Sequence, residues 1–172
     1  MTTGASSFPL LFDELGNRWK APLGHVSFWV FLILAIILAG AIGIWVEVFR
    51  ASNSDKFDAA GIITAIYTYF PAIAAGSSIQ LIMELDKEDE KHLRSFSLFC
   101  GALILLLTLP FFSGSKSMAW LWSCGIVGAL LSIWLWWIAN AYSKAFQDFD
   151  PENPLGGNTK KKLHGNLQDF QT

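Results

Sequence analysis

The chain has 172 residues, 53% hydrophobic, 15% aromatic and only 15% charged, against roughly 25% charge in an ordinary soluble domain. That balance argues against a water-soluble fold. The formal net charge of −2 carries no orientation signal, because membrane orientation follows basic residues rather than net charge.

The apolar residues gather in four blocks, residues 26–46, 59–83, 96–112 and 118–139, none of which contains Lys or Arg. At about 1.5 Å per residue each reaches about 25–38 Å, the thickness of a hydrocarbon core. Backbone groups in lipid must be satisfied within the segment, so the blocks are read as helices. The expected fold is an all-α integral membrane protein, four transmembrane helices in an antiparallel bundle preceded by a short interfacial amphipathic helix. Three parts follow: a segment over 1–25, the bundle over 26–142 and a tail over 143–172.

In the first segment Phe8, Leu11, Phe12, Leu15 and Trp19 recur at helical spacing, with Asp13, Glu14, Asn17 and Arg18 on the other face. Ser7 can cap this helix and Pro9 suits its first turn. A helix over 8–19 lying on the membrane surface is expected, ending before Pro22 and Gly24. It serves either as an anchor for the first span or as a docking site. Ala39-Gly40-Ala41 has the small-x-small pattern of a signal cleavage site. A preceding region carrying Asp13 and Glu14, and an apolar run continuing to Val46, argue against cleavage and against a mitochondrial transit peptide.

In the first span Ala35, Ala39 and Gly43 repeat every four residues and Glu47 continues the stripe. Small side chains on one stripe permit close helix approach, and an acid there reaches headgroup water or faces a crevice or a neighbouring copy. The second span carries Thr64, Thr68, Pro71, Ala75 and Ser78 at steps of four and three, flanked by Tyr69, Gly76 and Gln80. This seam is read either as helix packing or as the lining of a conduction or binding path, with Pro71 kinking the helix. The loop that follows is charge-dense. Asp86, Glu88, Glu90, Lys91, His92 and Arg94 form a candidate partner-docking surface on helical extensions of the flanking spans. A metal site there matches no known ligand spacing.

The short turn at 113–117 pairs the third and fourth spans as a hairpin. The fourth span has tryptophans near both ends, as interfacial belts do. Its interior holds Gly125, Gly128 and Ser132, a second close-packing stripe with Asn140 on the same face. Two separate stripes, on the first and fourth spans, point to a homo-oligomer. Beyond Phe149 come a Pro- and Gly-rich stretch, then Lys160, Lys161 and Lys162, then Leu163, Leu167 and Phe170 at helical spacing. That tail suits anionic lipid, weak nucleic-acid contact, or a helix ordered by a partner; no direct nucleic-acid binding is expected.

Nine of the twelve basic residues fall on the side of the termini and the second loop, which places both termini in the cytoplasm. Cys100 and Cys124 both lie inside spans, so no extracellular disulfide framework is expected, and a bacterial inner membrane is the expected location. The loops and tails are too short for an independent soluble domain. No catalytic constellation or cofactor motif is present, so no cofactor and no enzyme activity are expected.

Four spans in a chain of this size, with both termini inside and almost no soluble mass, is a plan similar to that of the immunity proteins against pore-forming colicins. It also resembles the small membrane subunits of bacterial anti-phage systems such as Kiwa, and the transmembrane accessory proteins beside some CRISPR effectors. The likeness is one of span count and size and implies no functional residue. The leading expectation is a non-enzymatic, homo-oligomeric membrane subunit acting with a cytosolic protein partner, for example in antiviral defence. The alternatives are a small channel or transporter lined by the second span, and an immunity protein that blocks a toxin in the bilayer.

Overall fold

A computed structural model of the protein describes residues 7–54, 58–84, 91–146 and 148. The described residues are helical with short connections. In chain order they form α1 (Ser7–Lys20), a 3-10 turn (Ala21–Gly24), α2 (Val26–Phe31), a π-helical stretch (Leu32–Gly40), α3 (Ile42–Ser52), α4 (Ala60–Glu84), α5 (Lys91–Leu106), α6 (Leu109–Phe112), α7 (Met118–Asn140) and a last 3-10 turn (Lys144–Phe146).

Three stretches are long and apolar enough to cross a membrane. They are Ala60–Met83, His92–Phe112 and Met118–Asn140, with mean hydropathies of 1.4, 2.1 and 1.7. A fourth is added if Phe8–Gly24 and Val26–Gly40, bent by 93° relative to each other, are counted as one. α4 runs unbroken through Pro71. The third stretch instead breaks after Leu106, because Pro110 has no N–H to offer the Leu106 carbonyl. There Leu107 and Thr108 tighten into bonds to the carbonyls three residues back, at 3.1 and 3.0 Å. Gly114 then takes a left-handed conformation, φ 67°, which only glycine adopts without strain. It turns the chain into α7.

The core forms where α4 lies between α7 and α5. α7 approaches α4 through its glycines: a Cβ on Gly128 would lie 2.8–3.0 Å from the Phe70 ring, and one on Gly125 would lie 3.0 Å from Ile66 Cγ2. The Tyr67 hydroxyl, buried at this contact, donates to the Leu121 carbonyl at 3.0 Å. On the α5 side, Leu81 of α4 and Leu93 and Ile104 of α5 join the same core, all essentially inaccessible.

Two expectations need correction. The first expected span is not one regular helix. Its π-helical middle ends at Ala41, whose backbone (φ −88°, ψ 17°) leaves the helix before α3 begins. A uniform apolar run conceals such a break, because the compensating donors lie elsewhere. The Tyr69 hydroxyl donates to the Ile36 carbonyl and the Trp45 indole N–H to the Ile37 carbonyl, both at 2.9 Å. Carbonyls freed by a helix break inside a membrane need such partners.

The second correction concerns Arg18, which the sequence places on the polar face of α1. Arg18 is 4% exposed, whereas Phe8 and Phe12 are 72% and 68% exposed. The reason is a set of three partners around the guanidinium. Arg18 donates to Glu14 Oε1 at 2.8 Å and to the Ile138 carbonyl at 3.3 Å, and sits 4.8 Å from the centre of the Tyr142 ring. Ile138 lies in the last turn of α7, where carbonyls lack helical donors and attract cations.

Candidate functional site

Two features that stand apart in the sequence meet between α3 and α4. Glu47, at the end of the small-residue stripe, lies against the first turn of α4. A Cβ on Gly61 would run into the Glu47 carboxylate, so glycine at 61 is what admits the acid. Glu47 also pairs with Arg50 at 2.6 Å; the Glu47 side chain is 24% exposed and that of Arg50 71%. With Ser54, Asp58, Thr64 and Gly43 they line a cavity of about 600 Å³. Asp58 is fixed beside it, one oxygen accepting from the Ala60 N–H at 2.9 Å.

At Gly43 and Ala65 this cavity meets a second one of about 420 Å³, whose walls include Gly40, Ile44, Thr68, Tyr69, Ala72 and Ile73. Together they form one cleft with a charged rim and a largely apolar floor that reaches the helix break at Ala41. The hydroxyls of Thr64 and Thr68 donate to the Ala60 and Ala65 carbonyls, both at 2.9 Å. Their hydrogens are therefore committed, and they offer the cleft only acceptor lone pairs.

The rest of the expected seam turns elsewhere. Pro71 is half-buried. Ser78 is buried against α5, its Oγ 3.0 Å from where a Gly101 Cβ would lie, and its carbonyl accepts from Ser97 Oγ at 3.3 Å. Gln80 donates to Asn140 Oδ1 of α7 at 2.8 Å. A path through a single protomer along the whole seam therefore has no continuous wall; what α4 exposes is Ala60, Thr64, Thr68, Ala72, Ala75 and Gly76, followed towards its end by the bulky Ile79 and Met83. The outward residues of α5 and α7 are bulky by contrast: Leu98, Phe99, Leu105 and Leu106 on one, Ile126, Val127 and Leu130 on the other.

The expected oligomer stripe divides as well. Ala35 and Glu47 are half-buried, and Ala39 and Gly43 are exposed beside the cleft. Gly125, Gly128 and Ser132 are all buried within the protomer, so packing on α4 accounts for them without a second copy. Of the expected docking surface, Asp86, Glu88 and Glu90 lie outside the described residues, and Lys91 begins α5. His92 faces an apolar groove between α1 and α5, lined by Phe8, Leu11, Phe12, Phe96 and Phe99. Arg94 Nε is buried without a hydrogen-bond partner among the described residues. The lysines and apolar residues of the tail also lie outside them.

One arrangement had no signal in the sequence. Asp148 returns to the start of α2, over 120 positions away, and accepts from the Val26 and Ser27 N–H groups at 2.6 and 3.0 Å and from Ser27 Oγ at 2.5 Å. Its own N–H donates to His25 Nδ1 at 3.3 Å. The Ser27 hydroxyl, then the two amides, then nearby His25 hold the Asp148 carboxyl below its ordinary range. The clasp is backed by aromatic packing of Phe146 on Phe31 and Phe28, and of Phe28 and Trp19 on Trp137. Nothing local in the sequence marks this cap, because its carboxylate is supplied from so far along the chain.

Among the described residues no three His, Cys, Asp or Glu side chains group as metal ligands. No known protein family, curated protein or solved structure matches this chain.

Proposed function

We propose that the protein is a non-enzymatic, homo-oligomeric membrane subunit that crosses the membrane four times as an antiparallel bundle with both termini in the cytoplasm. Its copies meet across the exposed face of α4. The observation that supports this is the contrast between outward faces over the middle of α4: Thr68, Ala72, Ala75 and Gly76 there, before Ile79 and Met83, against large aliphatic and aromatic residues on α5 and α7. Lipid tails solvate bulky apolar side chains as well as a partner helix does, whereas a small-residue face gains dispersion only when another backbone comes close. A conduction path along Thr64 and Thr68 would on this reading lie between copies, because the protomer interior is filled by Ile66, Tyr67 and Phe70 against the α7 glycines.

The end of the molecule that carries α1 is the side we assign to a cytosolic protein partner. Its apolar groove between α1 and α5 and the exposed Phe8 and Phe12 supply contact area there. Cysteine cross-linking in native membranes tests the association. With Cys100 and Cys124 replaced by Ser, cysteines placed along α4 at 72, 75 and 76 are expected to cross-link between copies, and cysteines at 98 and 105 of α5 are not. Cross-links confined to α5, or absent at every position, would overturn it.

A further inference from the structure

We propose that the cleft between α3 and α4 is a binding site for a zwitterionic phospholipid bearing a primary ammonium, of the phosphatidylethanolamine class. The cleft is zoned along its length. Charged and hydroxyl groups, Glu47, Arg50, Asp58 and Thr64, line the rim, and beyond Gly43 and Ala65, which both cavities share, the walls become Gly40, Ile44, Ala72 and Ile73. Gly43, Thr64 and Thr68 are exposed, so the cleft opens sideways to the surroundings of the bundle. A polar rim joined laterally to an apolar floor fits an amphiphile: the headgroup at the rim, one acyl chain below.

The rim chemistry selects the headgroup. Among the described residues two carboxylates and one guanidinium line the rim, which disfavours a lipid carrying only negative charge. Arg50 uses one N–H on Glu47 and keeps its outward donors, on a side chain 71% exposed, for a phosphate oxygen. Glu47, Asp58 and the acceptor-only hydroxyl of Thr64 then form an acceptor wall suited to an ammonium with N–H donors. A choline headgroup has no N–H to give them. Gly61 belongs to the same arrangement, since any side chain there would displace Glu47 from the rim.

The proposal rests on the membrane setting of the protein; the walls of the cleft share Thr64, Thr68 and Ala72 with the α4 face assigned above to the association of copies, so Gly76, which lies outside those walls, is the position that separates the two readings. The test uses the full chain, delipidated in mild detergent and resupplied with micelles doped with phosphatidylethanolamine, phosphatidylcholine or phosphatidylglycerol. Bound lipid is read by native mass spectrometry and thermal stability by tryptophan fluorescence. Phosphatidylethanolamine should be retained with about tenfold preference over the other two, the scale of one charge-assisted hydrogen bond, and should raise the melting temperature most.

Glu47→Gln, which keeps the size of the side chain, should abolish the preference. Gly43→Leu, which fills the place where the two cavities meet, should abolish retention of all three lipids. Both variants should melt like the parent protein in lipid-free detergent, which separates loss of the site from loss of the fold, and Gly76→Leu should leave lipid binding unchanged. Equal retention of the three lipids, or a preference that survives both Glu47→Gln and Gly43→Leu, would overturn the proposal. Lipid retention that disappears with Gly76→Leu would also overturn it, since the lipid would then be held between copies rather than in the cleft.

Discussion

A single methyl group at Gly128 probes the closest contact in the bundle. The added Cβ would lie 2.8, 2.9 and 3.0 Å from three carbons of the Phe70 ring, where carbon pairs normally rest at about 3.5–4.0 Å. Phe70 is fully buried, and its ring already packs on that of Tyr67 at 5.3 Å between centroids, so it has no open direction to yield into. Overpacking of this kind costs about 1–3 kcal/mol, while replacing a helical Gly by Ala returns about 0.8–1.0 kcal/mol.

Gly76 supplies the matching control, because a Cβ there meets nothing within 4 Å. Gly76→Ala carries the propensity gain alone, so the propensity terms cancel in the comparison. The difference between the two variants is then the overpacking cost, about 1–3 kcal/mol, or roughly 2–12 °C in melting temperature for a chain of this size. Tryptophan-detected thermal unfolding of both variants in one detergent reads it. Adding Phe70→Leu to Gly128→Ala should restore part of the loss, with a coupling of about 0.5–3 kcal/mol. If Gly128→Ala melts as high as Gly76→Ala, α4 and α7 do not approach as described.

Three further outcomes are expected. Glu14→Ala leaves the buried Arg18 guanidinium without its carboxylate and should destabilise the docking of α1 by about 1.5–3 kcal/mol, read by urea unfolding followed at Trp137; Glu14→Leu with Arg18→Met should recover much of this, since an apolar pair replaces a broken ionic one. Because binding to Ser27 and Val26 lowers the Asp148 carboxyl, its contribution is complete above the ordinary carboxylate range and is lost as pH falls through the lowered value. A pH series falling from neutral through and below the ordinary carboxylate range should accordingly speed proteolysis near Lys144, and Asp148→Asn should be cut fast throughout; a parent protein indifferent to pH across the whole series would contradict the clasp. Tyr69→Phe removes the donor to the Ile36 carbonyl and should cost about 0.5–1.5 kcal/mol in thermal unfolding, whereas an unchanged melting temperature would mean the π-helical stretch does not depend on it.

What could be read in advance followed from how local each signal is. The second, third and fourth apolar blocks become α4, α5 with α6, and α7 because their length and hydropathy are properties of contiguous residues. Both helices around the second loop extend past their apolar blocks, α4 to Glu84 and α5 back to Lys91, where charged residues at helical spacing already favoured extension. The break at Ala41 was hidden because its compensating hydrogen bonds come from Trp45 and from Tyr69 of another helix. Arg18 was misplaced because hydrophobicity alone ranks it as solvent-facing, while carbonyls at the end of α7 and the Tyr142 ring make burial favourable. Glu47 and Thr64 could be singled out separately, but only the packing of α3 on α4 makes them one rim. The docking acids of the second loop stay outside the described residues.

The association of copies through α4 is tested most directly by mass in mild detergent. The chain weighs 19.1 kDa, so the parent protein should appear at a multiple of that mass once detergent is subtracted. A Cβ at Gly76 meets nothing within 4 Å and the position is exposed, so Gly76→Leu blocks the approach of a neighbour and should reduce the particle to a single chain without lowering its melting temperature. A parent protein that is monomeric, or an assembly that survives Gly76→Leu combined with Ala72→Leu, would contradict the account.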